Sequence, residues 1–245
     1  MHPLSAQHIL RIWEIGQNQH PLDRALTLLA FACPEISPPQ LASLSIGQRD
    51  AYLLTLREIT FGQKMNCLAE CPNCGDRLEF DINIPDIRVA QISSPKVEKY
   101  NLHAEGVELQ FRLPNSQDLA AIVGYKDVNQ ANSVLMQRCI LQASNNDNSL
   151  AYNDLSATVI NQVVQQMAER DPQAEVLLNL SCPACEHSWQ LLFDIVSFLW
   201  RELTARAKRL LQEVHTLARF YGWREADILS MSGIRRQMYL DLIGS

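Results

Sequence analysis

Two four-residue stretches, Cys71-Pro72-Asn73-Cys74 and Cys182-Pro183-Ala184-Cys185, limit what this chain can fold into. Each is a Cys-Pro-x-Cys turn, and each is followed by a β-type run ending in Phe-Asp-Ile, at Phe80-Asp81-Ile82 and Phe193-Asp194-Ile195. Residues 64–70 and 78–84 flank the first turn, and residues 176–180 and 189–195 flank the second. Both units therefore read as strand–knuckle–strand hairpins. The four thiols of Cys71, Cys74, Cys182 and Cys185 suffice to close a tetrahedral zinc site. Such a site would join segments more than a hundred positions apart into a split zinc ribbon.

The turns carry local signals of their own. Proline after the first cysteine fixes φ and shapes the knuckle. Gly75, after the second cysteine, is free to take positive φ, whereas Glu186 stands at the matching place and fits it less well. A four-thiolate zinc is coordinatively closed, so the expected role is structural, not catalytic. A redox pair is the rival for any CxxC, but two copies in paired hairpins favour metal. His187 and Cys67 stand close enough in sequence to be alternative donors. His103-Ala104-Glu105 supplies the letters of a zinc-deaminase motif, but it lies far from Cys182 and would leave Cys71 and Cys74 unexplained. Cys33 reads as a small buried apolar residue.

Composition narrows the partners. The net charge of −6 is uneven, with eight Lys or Arg against five Asp or Glu from Phe198 onward and 13 against 22 before it. A general nucleic-acid coat would need clustered cations. The start of the chain shows no export signal, and residues 25–33, the most apolar run, fall short of the ~20 needed to span a bilayer. The expectation is a cytoplasmic chain without membrane insertion, in a reducing compartment that keeps cysteines available for metal.

Periodicity divides the chain into an α+β, mainly helical architecture. Residues 1–63 form an N-terminal helical module, with helices expected over 6–16, 22–32 and 45–59 and a break at Pro38-Pro39. Residues 64–84 and 176–195 form the split zinc ribbon. Residues 85–175 form an inserted small α+β lobe, with a strand at 107–113, helices over 118–123 and 129–143, a polar loop at 144–149, and a helix that starts at Asp154 or Ser156 and stops before Asp171-Pro172. Residues 196–245 form a C-terminal helical arm, led by a helix over 198–221 with a Glu202–Arg206 pair on its surface. Arg235-Arg236, opposite the apolar face of the last helix, is expected as either a solvated edge or a contact for an acidic partner.

Several runs carry a resemblance. They are Leu-Asp-Arg-Ala-Leu (22–26), Gly-Gln-Arg-Asp (47–50), Cys-Pro-Asn-Cys-Gly (71–75), Phe-Arg-Leu-Pro-Asn-Ser-Gln-Asp-Leu (111–119) and Cys-Pro-Ala-Cys-Glu-His-Ser-Trp (182–189). Further on come Phe-Leu-Trp-Arg-Glu (198–202), Glu-Val-His-x-Leu-Ala (213–218) and Tyr-Gly-Trp-x-Glu-x-Asp-Ile-Leu (221–229). Together they resemble the T-even-phage-type baseplate hub assembly chaperone family of phage tails and contractile injection systems. The resemblance implies a non-enzymatic protein that helps build the hub or stays in the assembled particle. Its partners would be hub, spike or tube-initiator proteins, with no small-molecule substrate.

Two other classes stand beside this reading. A zinc-ribbon nucleic-acid-binding protein would need a basic face, yet Lys64 and Arg77 are the only Lys or Arg in residues 64–84 and 176–195. A zinc metalloenzyme would need an open coordination site and a paired acid and base.

Overall fold

Capping chemistry sets the N-terminal helices. Ser5 accepts the His8 N–H and opens α1 (Ala6–Gly16), and Pro21 occupies the first turn of α2 (Pro21–Ala32). Pro38-Pro39 does not break the chain but starts a short helix, α3 (Pro38–Ser43), because a proline at the first turn loses no needed N–H. Gln48 and Ser45 cap one another reciprocally at the head of α4 (Ile46–Phe61), and Gly62, at φ 95°, ends it. The computed structural model describes residues 1–89, 98–145 and 148–243.

From Gly62 the chain enters the first hairpin, β1 (Lys64–Glu70) and β2 (Arg77–Asn83), antiparallel from Lys64 opposite Asn83 to Glu70 opposite Arg77. A one-turn helix, α5 (Ile84–Ile87), follows. Next come β3 (Tyr100–Ala104), which the sequence reading did not assign, and β4 (Val107–Phe111). Asn115 then caps α6 (Ser116–Ile122), and α7 (Val128–Cys139) leads into β5 (Ile140–Asn145) and β6 (Asn148–Ser149). These strands make one antiparallel sheet in the order β3-β4-β5-β6. The helix expected over 129–143 therefore stops four residues early. Residues 140–144 pair with the open edge of β4, and that ladder overrides a helical apolar pattern. The polar stretch 144–149 belongs to β5 and β6 at its ends, and its residues 146–147 lie outside the described residues.

Ser156 caps α8 (Ala157–Arg170), and the second hairpin follows as β7 (Leu177–Ser181) and β8 (Ser188–Leu192). The strand expected over 189–195 ends at Leu192. The Asp194 carboxylate accepts the N–H groups of Val196 and Ser197, so α9 (Ile195–Tyr221) starts three residues before Phe198. The two Phe-Asp-Ile runs are thus not equivalent: Asp81 lies within β2, where it pairs with Lys64 at 2.6 Å, while Asp194 caps a helix. Gly222, left-handed at φ 68°, turns the chain into α10 (Glu225–Ser230) and α11 (Gly233–Ile243).

Two apolar clusters organise the packing. The larger gathers Ile12, Leu28, Leu53, Leu56, Met65, Ile84, Leu199 and Leu203 from the first four helices, the base of the first hairpin and α9. The smaller gathers Leu109, Phe111, Cys139, Val159 and Val163 around the four-stranded sheet. Cys33 is fully buried in the larger cluster, as its apolar surroundings predict. Trp200 closes on Gly16, where any side chain would collide with its ring, and Arg24 stacks over that ring at 4.4 Å.

Buried ions tie these layers together. Arg57 is buried on α4 and holds Glu202 of α9 through two bonds of 2.6 and 2.9 Å. Glu202 is therefore committed to Arg57 and not to Arg206, which pairs with Glu213 at 3.2 Å. Arg236 is buried as well, bonding Glu213 at 2.7 Å and the Met231 carbonyl, so it anchors α11 instead of facing solvent. Asp118, fully buried, accepts from Arg112 and Arg138 and from the Asn115 N–H. Burial raises its pKa, and these donors outweigh that to leave it below the usual carboxylate value. Asp171 sits on the head of α4, accepting from the Ser45 hydroxyl and Gly47 N–H at 2.9 Å each, and so joins the smaller cluster's flank to the N-terminal helices.

Leu210 is fully buried on α9 in the larger cluster. Leu210→Ala is expected to cost about 2–5 kcal/mol in urea unfolding while leaving the four-thiol cluster intact. An unchanged midpoint would show that α9 does not pack as described.

Candidate metal centre

Backbone geometry brings the four thiols together. In the first knuckle Cys71 N–H donates to the Asp76 carbonyl and Gly75 N–H to the Cys71 carbonyl, both at 2.9 Å. In the second, Cys182 N–H donates to the His187 carbonyl and Glu186 N–H to the Cys182 carbonyl, again at 2.9 Å. The two turns thus share one hydrogen-bond plan. Both also take a left-handed residue after the second cysteine, Gly75 at φ 74° and Glu186 at φ 58°. The sequence reading expected glycine to be at ease there and Glu186 to be strained. A left-handed non-glycine residue costs about 1–2 kcal/mol.

The hairpin tips face one another. Cys71 Sγ lies 3.7 Å from Cys185 Sγ, and Cys74 Sγ lies 3.6 Å from Cys182 Sγ. All four sulfurs fall within 4.8 Å of one another, a group that can hold a metal ion. With zinc–sulfur bonds of about 2.3 Å, a tetrahedron of thiolates has edges of roughly 3.8 Å, close to these 3.6 and 3.7 Å separations. The 3.6 and 3.7 Å contacts both run between hairpins, so each knuckle meets the other through both of its sulfurs. All four are free thiols. Cys71 and Cys182 are buried, Cys185 is half-buried and Cys74 is exposed.

Crowding separates the acidities of these thiols. Cys185 is lowered to about 6, first by the Asn73 side-chain amide, 3.5 Å from its sulfur, and next by the backbone at His187. For Cys74 the backbone contact at Asp76 is the largest influence and lowers it, but the neighbouring thiols and burial together carry it up to about 12. Four thiolates repel one another strongly, and a divalent cation among them removes that repulsion. Asn73 is a donor the sequence reading missed. Its place inside the first CPxC turn, reaching the opposite knuckle, was the available signal.

The other candidates fall elsewhere. His187 is exposed and stacks against Trp189, with centroids 6.1 Å apart, outside the four-thiol group. Cys67 packs against the larger cluster, its sulfur 3.9 Å from the Met65 carbonyl. His103 pairs with Glu108 across β3 and β4, and the Glu105 carboxylate accepts the Ser156 hydroxyl. The His-x-Glu letters therefore belong to a surface hairpin.

The two hairpins also form matching grooves. One is lined by residues 66–70 of β1 and 191–193 near β8, the other by residues 176–180 at β7 and 80–82 of β2. Phe80 and Leu178 border both grooves. Their floors differ: α9 underlies the first groove, and α5 with Pro172 and Glu175 borders the second.

A family model described as T4 bacteriophage base plate protein matches residues 9–200. The matched span takes in both knuckles and ends within α9, so the motifs from 201 onward lie beyond it. No curated protein and no solved structure matches the chain. Among the described residues, no helix is long and apolar enough to cross a membrane.

Two measurements probe this centre. Metal analysis of purified protein should find zinc at close to one ion per chain, and replacing Cys71 and Cys182 together by serine should abolish it. Unchanged zinc in that variant would refute the assignment. Glu186→Gly should raise stability by about 1 kcal/mol through relief of the left-handed conformation, read as a shift in the chemical unfolding midpoint at unchanged zinc content.

Proposed function

We propose, since this chain belongs to the T4 bacteriophage base plate protein family, that it is a non-enzymatic assembly factor or structural component of the baseplate hub. The observation that carries this reading is the family match across residues 9–200. The metal centre supports a scaffold role: Cys71, Cys74, Cys182 and Cys185 act as the ligands of a structural zinc, closing the two hairpins into a split zinc ribbon. A four-thiolate ion is held by the protein alone, so its contribution is to folding, with no position left for a substrate.

The domain plan follows from that clamp. Residues 1–63 are the helical module, 64–84 and 176–195 the ribbon, 85–175 the inserted lobe, and 196–245 the helical arm. Hub, spike or tube-initiator proteins are the partners, met through side chains on the helical module and arm. Among the described residues, buried Asp118 and half-buried Glu202 are committed to structural pairs with Arg112, Arg138 and Arg57. A nucleic-acid role is disfavoured by charge, since residues 64–83 and 177–194 carry two Lys or Arg against six Asp or Glu.

The test is capture from cells producing the whole tail apparatus. Tagged protein should co-purify a hub, spike or tube-initiator subunit, and capture should fall at least severalfold for the Cys71→Ser, Cys182→Ser double variant. Tight, salt-sensitive DNA binding with no tail protein captured would overturn the proposal.

A further inference from the structure

Between their cysteines the two knuckles differ in one residue. The third position of the first CPxC turn is Asn73, and Ala184 stands at the matching place in the second. Asn73 Nδ2 donates to Cys185 Sγ across 3.5 Å, from one hairpin to the other. The methyl group of Ala184 has no donor to offer in return. Among the described residues, no side-chain N–H reaches the Cys74 sulfur, which contacts that of Cys182. The backbone does not account for the difference. It meets each second cysteine two residues on, at Asp76 for Cys74 and at His187 for Cys185.

Cys185 sits on the less anchored side of the centre. Cys71 and Cys182 are each 1% exposed, so water meets the cluster at Cys74 and at half-buried Cys185. Cys185 also precedes the left-handed Glu186, on the hairpin whose strands have five residues. Asn73 belongs to the other hairpin, whose Met65 and Ile82 enter the larger core. Four thiolates carry more negative charge than one divalent cation cancels, so each N–H aimed at a sulfur offsets part of the excess. A sulfur lone pair engaged in this way is less available to an electrophile. Removing such a partner from behind a metal ligand typically costs about 10–100-fold in affinity.

We propose, resting on the structural-zinc reading, that Asn73 is a positioning residue for the ion. Its amide, reaching over from the first hairpin, holds Cys185 in place as a ligand and shields that sulfur from attack. One knuckle thereby steadies a ligand of the other.

Two variants of the full chain test this. Asn73→Ala removes the donor, and Asn73→Asp keeps the shape while setting an acceptor where the donor was. Position 73 is exposed, and circular dichroism verifies that each variant is folded. Zinc affinity measured by competition with EDTA should fall about tenfold or more in Asn73→Ala, and further in Asn73→Asp. Iodoacetamide then separates a local effect from general loosening. It forms a sulfur–carbon bond with a thiolate while iodide leaves with the carbon–iodine electron pair. With zinc in excess and labelling mapped by mass spectrometry, Cys74 should react ahead of Cys185 in the wild type. In Asn73→Ala, Cys185 should react at least severalfold faster while Cys74 keeps its rate. An unchanged affinity, an unchanged Cys185 rate, or an equal acceleration at all four cysteines would each overturn the proposal and leave the zinc reading intact. A wild-type chain that binds no zinc would overturn both.

Discussion

The meeting of four thiols at the tips of two hairpins is the constraint from which the rest of the architecture follows. Cys71 and Cys185 are 114 residues apart in the chain, and Cys74 and Cys182 are 108 apart. Closing a flexible loop of that length costs roughly 4 kcal/mol in chain entropy. Neither two-stranded hairpin would be stable by itself. Their tips meet at the four thiols and their bases pack on the helices, so the segment between them leaves and returns at neighbouring places. Asp171 adds a third point of attachment by accepting from Ser45 and Gly47 at the head of α4.

From that clamp α9 carries order outward. Its 27 residues run for about 40 Å, beginning at the Asp194 cap that directly follows β8. Along its length it meets a succession of partners: Arg57 at Glu202, the α1–α2 corner at Trp200, and α11 at Glu213. Each buried guanidinium here is satisfied on several sides, which is what makes burial tolerable. Truncating one partner would leave the other charge uncompensated at a cost of about 3–5 kcal/mol. The ion pairs therefore fix the angles between layers more than they add net stability.

Features whose physics is local were readable from the chain alone. Ser5, Pro21, Gly62 and Gly222 mark helix ends because capping and left-handed turns depend on a residue and its immediate neighbours. The four thiols were equally legible, because two CPxC turns in paired hairpins leave few alternatives. What escaped was decided by distant neighbours. Residues 140–143 keep a helical apolar pattern, yet β4 offers an open ladder that they complete. Glu202 has Arg206 at ideal helical spacing, but Arg57 waits in a drier site across the core. Arg236 looked solvated until α11 folded back on Glu213. Asn73, sitting inside the motif itself, was overlooked because its target is on the other knuckle.

Glu186 gives the clamp a direction. The first knuckle closes on a relaxed Gly75 and is backed by strands of seven residues, whose Met65 and Ile82 reach the main core. The second closes on a residue forced to φ 58° and is backed by strands of five, mostly turned to solvent. Loosening of the joint would thus begin on the second side. The first hairpin would stay moored, and Ile195, Val196 and Leu199 would keep the root of α9 in the same core, so the part that lets go first is β7, β8 and the knuckle between them.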